Sequence, residues 1–165
     1  MEIRPGLNPS IIGAIDEMEI DKLIFKVITI IHSSKSIAEI SNDESDYREC
    51  LKERFAISEM ILSLTSLAII MRNKIENMSK FENGNVGQIA NDLMKNEYEA
   101  LLFKDACNKI IHSKILNVDM KCIFSKNCWY LNPQLHCYGE YRKVQWVADI
   151  DIEKYCENIY KLTLL

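Results

Sequence analysis

The chain has 165 residues, nearly half of them apolar and about a quarter charged, which fits one domain with its own core and excludes a chain disordered throughout. A formal net charge of −4 and a pI near 5.5 give an overall field that repels nucleic acid, so any polyanion contact has to come from a local basic patch. Five glycines and three prolines are few for a sandwich of short strands and predict long uninterrupted helices. The expected fold is therefore mainly α: a helical bundle over residues 1–116, with a C-terminal β-hairpin and a short final helix packed on it over residues 117–165, in a single domain.

Glu2 and Arg4 precede Pro5 with no continuous apolar run, so a secretory leader is not expected. After Asn8-Pro9-Ser10, apolar residues recur at Ile11, Ile12, Ile15, Met18, Ile20, Leu23, Ile24, Val27, Ile28 and Ile31, which predicts a long helix with a wide buried face. His32, followed by two serines, is expected at its C-terminal end, complementing the helix dipole. The polar stretch from Ser41 to Asp46 offers several N-caps for a second helix through Tyr47, Leu51, Phe55 and Ile61 towards Met78. The middle of that helix is apolar nearly all round, which places it at the centre of the bundle. Its longest apolar run, residues 60–71, is too short for a membrane span, which needs about 20 residues. Glu59 and Arg72 flank the run and read as solvated or bundle-end positions, or as the rim of a cleft.

The segment 81–87, with two glycines and two asparagines, reads as a loop. A short helix over 88–94 and a longer one over 97–113 follow, and residues 117–125 read as irregular. Trp129–Tyr138 and Arg142–Ile150 are aromatic and β-branched and predict the two arms of a hairpin, with Pro133 keeping the first arm irregular or at an edge. Asp151 can cap a last helix over 152–162. Six cysteines without an expected export signal suit a reducing, cytoplasmic setting. Cys122, Cys128, His136 and Cys137 lack the short knuckle spacing of a zinc site, so no metal and no cofactor is expected, and the thiols read as small core hydrophobes.

The candidate site lies on the helix predicted over 97–113. Spaced by 100°, Leu102, Phe103, Ala106, Cys107, Ile110 and Ile111 share one side, which reads as core. Asp105, Asn108 and His112, with Leu101 among them, gather on the opposite side, so a carboxamide and an imidazole one turn apart can converge on one ligand or one partner. Cys107 and His112 diverge by about 140° and do not form a nucleophile–base pair. No Gly-rich phosphate loop, nucleophile elbow or zinc-protease helix is present.

The run Cys107-Asn108-Lys109-Ile110-Ile111-His112 resembles the Arg-polar-x-x-x-His motif of HEPN-type proteins, with Cys107 at the position of the arginine. Those proteins are small helical bundles, often dimeric, and many are endoribonucleases of toxin–antitoxin or phage-defence systems. The resemblance implies a homo-oligomer that binds or cleaves RNA without metal. His112 would handle protons, Asn108, Lys109, Asp105 and Lys104 would line the cleft, and a nucleotidyltransferase-like antitoxin would be a partner. The pair Arg72-Asn73 has no histidine at the position the motif would need, nor at Met78 beyond it. The alternative is a non-catalytic interaction module or oligomeric scaffold, in which the polar stripe or a strand edge recruits a partner, or Asn108 and His112 merely join bundle to hairpin.

Overall fold

The computed structural model describes residues 9–95 and 97–164, and side chains from Glu17 onward. It corrects the expectation of a mainly α bundle. Four helices, α1 (Pro9–Ile40), α2 (Tyr47–Glu76), α3 (Phe103–His112) and α4 (Ile152–Thr163), accompany five strands, β1 (Asn85–Ala90), β2 (Glu99–Leu102), β3 (Ile115–Ile123), β4 (Cys128–Tyr141) and β5 (Val144–Asp151). The strands form one antiparallel sheet in the order β2-β1-β5-β4-β3, so the fold is mixed α/β.

The long helices follow local rules. Asp46 is the N-cap of α2, accepting from the Arg48 backbone N–H. The first helix runs past His32 to Ile40 because its serines do not break it: Ser33, Ser34 and Ser36 donate back to the carbonyls of Ile30, Ile31 and His32. Of its expected core residues, Ile20, Ile24, Val27 and Ile31 are buried, whereas Met18 and Ile28 are exposed. Ile11, Ile12 and Ile15 lie outside the described side chains.

The missed strands are those that depend on distant partners. Residues 88–94 were expected as helix, yet Val86, Ile89 and Ala90 are buried in β1, which pairs with β5 sixty residues later. A Cβ on Gly87 would stand 2.0 Å from the Asp149 carbonyl oxygen, so only glycine allows that approach. Residues 99–102, with good helix formers, are claimed instead by edge pairing with β1, and the helix begins only at Phe103. Residues 115–123, expected mostly as irregular, pair with β4. Pro133 falls where the β3–β4 register shifts and before β4 meets β5 at Gln134, so its missing N–H removes no ladder bond. The hairpin and the last helix match expectation, with Asp151 accepting from the Lys154 N–H at 3.1 Å.

Leu135 and Cys137 of β4 and Trp146, Ala148 and Ile150 of β5 are buried and join residues of all four helices in one apolar cluster. Phe103, Ala106, Cys107 and Ile110 of α3 and Ile152, Tyr155, Cys156 and Ile159 of α4 cover this face. Where β5 ends, the free edge of β4 is met by side chains instead of a strand. Trp129 N–H donates to Glu49 Oε1 at 2.9 Å, Lys52 Nζ donates to the Trp129 carbonyl, and Leu131 N–H donates to Ser34 Oγ at 3.1 Å. Glu49 and Lys52 are themselves buried and paired, so the helical hairpin completes the sheet.

Candidate functional site

The helical phase of α3 buries Phe103, Ala106, Cys107 and Ile110 as the sequence spacing implies, but Leu102, expected on that core side, is exposed at the end of β2, and Leu101 also departs from expectation. That residue is buried in β2 rather than part of a polar helix stripe. Asn83 Oδ1 accepts from Lys104 N–H at 2.9 Å and Gly84 C=O from Phe103 N–H at 2.9 Å, which fixes where α3 begins. Asp105, Asn108 and Lys109 then line one groove of about 380 Å³, together with Asn91, Glu99 and Leu102. Lys109 Nζ sits 4.2 Å from the centroid of the Trp146 ring, and Trp146 in turn covers Gly139, where a Cβ would stand 2.1 Å from the indole. Burial lowers the Lys109 pKa, against the opposing charges of Asp105 and Glu99.

His112 lies outside that groove lining, exposed at the last turn of α3. Its Nε2 is 3.3 Å from Arg72 Nη1, and Arg72 Nε donates to Glu76 Oε1 at 3.2 Å. The five sequence-predicted residues therefore divide: three in the groove, His112 beside α2, and Lys104 exposed in neither place. Cys107 is fully buried and bonded to the Tyr155 hydroxyl at 3.4 Å, and burial pushes its thiol up to about 11. It contributes nothing to a surface site.

Sequence reasoning missed three further features. The first is the proximity of Arg72 to His112, forty residues apart, for which linear spacing carries no signal. The second is a polar row across the open face of the sheet. His136 Nδ1 is 2.7 Å from Asp149 Oδ1, and Asp149 Oδ2 accepts from Gln88 Nε2 at 3.1 Å. The register sets Gln88 opposite Asp149 and Asp149 opposite His136. Cys122, Cys128 and His136 do not converge, and among the described residues no group of three His, Cys, Asp or Glu side chains assembles to hold a metal ion.

The third is the outer face of the long helices. The second helix was expected to be surrounded, but only its inner side is: Met60, Leu64, Leu67, Met71 and Ile75 are buried, while Phe55, Leu62 and Ile69 are 51, 61 and 47% exposed. On α1, Met18 and Phe25 are 56 and 73% exposed. Ion pairs Lys26–Glu59 and Lys74–Glu17 link the two antiparallel helices across their length. Phe25, Thr29, Ile30, Phe55 and Ala56 line an almost wholly apolar recess of about 480 Å³, closed at one end by Lys26 and Glu59. The signal was present in the sequence as a seven-residue spacing, Phe55, Leu62 and Ile69, hidden by the apolar residues around it.

No family model matches the chain, and no curated protein or solved structure matches it either.

Proposed function

We propose that this chain is a non-catalytic protein–protein interaction module whose working surface is the outer face of α1 and α2. One observation carries the reading: Phe25 and Phe55 line an apolar recess between two helices on which Met18, Leu62 and Ile69 are also large, apolar and exposed. Contiguous apolar surface of this kind on a folded chain marks an interaction site, because exposing it to water is costly. A membrane is a poorer occupant. By length and composition α2 could cross one, but its inner side chains belong to the core shared with α3 and the sheet, and insertion would strip them from it.

The test is photo-cross-linking in cells from p-benzoylphenylalanine placed at Leu62, with Tyr141, exposed at the far hairpin, as the control position. Protein adducts from Leu62 but not from Tyr141 are expected. Absence of adducts from Leu62 would end the reading.

A second reading is favoured by the contact between Arg72 and His112. It is RNA binding or metal-independent RNA cleavage, with Arg72 in place of the arginine missing at Cys107. The guanidinium would offset charge on a scissile phosphate and His112 would move the proton. A nucleotidyltransferase-like antitoxin belongs to this reading as partner. Salt-sensitive RNA cleavage lost in both His112→Ala and Arg72→Ala would support it; RNA neither bound nor cut by wild-type protein across pH would eliminate it.

A further inference from the structure

Resting on the interaction reading, we infer that the occupant of the outer α1–α2 face is a second copy of this chain, the two hairpins stacking about a twofold axis into a four-helix layer. The spacing of the exposed residues specifies a helical partner. Phe55, Leu62 and Ile69 on α2, and Met18 and Phe25 on α1, repeat every seven residues. A seven-residue repeat keeps an apolar stripe in register with another helix crossing at about 20°, and does not suit a strand or an irregular segment.

The recess supplies the complementary hole. Its walls are Phe25 and Phe55, and its floor is Thr29, Ile30 and Ala56, where the small side chains let a bulky group enter. A twofold axis gives each copy both a knob, Leu62, and a hole, so the face can pair with its own copy without a second kind of surface. The Lys26–Glu59 pair at the rim puts opposite charges side by side, so that pair presents no net charge to its own copy.

The area is adequate. Met18, Phe25, Ile28, Leu51, Phe55, Leu62 and Ile69 are each between 39 and 73% exposed. Together they present roughly 700 Å² per copy, close to the ~800 Å² per partner of a standard stable interface.

Sedimentation velocity on the purified full chain tests this from low micromolar to several hundred micromolar. A dimer is expected for wild type. Phe25→Glu or Leu62→Glu, each present twice at the interface, is expected to raise the dissociation constant about a hundredfold or more, with far-UV circular dichroism unchanged because neither side chain is in the core, and with melting unchanged only in protein dilute enough to be monomeric. Dimerisation unaffected by both variants would overturn the inference. So would a wild type that stays monomeric throughout. If Leu62 still gives adducts of another mass in cells, the interaction reading survives and only self-pairing fails; if it gives none, both fail. Flotation of monomeric wild type, but not Phe25→Glu, with phosphatidylglycerol vesicles would assign the face to a lipid surface and likewise overturn self-pairing.

Discussion

The edge of β4 offers a sharp test of how helices and sheet are joined. Glu49 and Lys52 look like a buried ion pair, and replacing such a pair by apolar residues of similar volume is often neutral or even stabilising. Here the pair also satisfies the Trp129 N–H and C=O that β5 no longer reaches. Lys52→Met alone leaves a buried carboxylate without its counter-charge, at a cost of about 3–5 kcal/mol. The double change Glu49→Met with Lys52→Met removes both charges but strands two backbone groups, each worth about 1–3 kcal/mol, so a loss of about 2–6 kcal/mol remains. Glu49→Gln with Lys52→Met returns one acceptor and one donor at the same place. It also removes Glu49 Oε2, which is buried without a hydrogen-bond partner. This variant should recover about 1–3 kcal/mol relative to the double methionine. Urea unfolding followed by far-UV circular dichroism, compared at equal m-value, measures each difference. A double methionine variant as stable as wild type would refute the claim that these side chains stand in for a strand.

Three further outcomes are expected. The hairpin between β4 and β5 turns on Arg142 and Lys143, both at positive φ (50° and 67°), where Asn-Gly is the preferred pair. Arg142→Asn with Lys143→Gly should stabilise by about 1–2 kcal/mol, read from the urea midpoint, and no gain would argue that the two residues are unstrained. Burial pushes the thiols of Cys107, Cys137 and Cys156 up to about 11, 12 and 12 from an ordinary 9.0. The folded chain therefore keeps protons that the unfolded chain releases. Their stabilisation is complete below pH 9 and lost as pH rises towards 11–12, so the urea midpoint should fall on crossing pH 9. Iodoacetamide should reach exposed Cys50 in the native state and these three only on unfolding.

What could be read in the sequence was what local rules determine. The capping of α2 by Asp46 and of α4 by Asp151, the β4–β5 hairpin and the phase of α3 all follow from side chains within a few residues. The strands β1, β2 and β3 were illegible because their identity is decided by register with partners far along the chain; β1 and β2 carry short or helix-prone sequences that only pairing overrides. That oversight moved three of the five strands and turned the expected bundle into a mixed fold. At the site level, Asp105, Asn108 and Lys109 do share a groove, whereas His112 meets Arg72 through space, a contact no linear spacing encodes. Nothing in the local spacing singles out Glu49 and Lys52, which are buried against β4 and bonded to its Trp129 backbone. The outer face was misread for the opposite reason: an all-round apolar helix suggests complete enclosure, and here one side is enclosed while the other is exposed.

Coverage of that outer side can be read directly from the labelling rate of a thiol placed at its centre. With Cys50→Ser removing the exposed native thiol, Leu62→Cys should react with a maleimide as an open surface group in dilute protein. It should become protected as concentration rises and two copies meet. A rate that stays fast and independent of concentration would contradict the account.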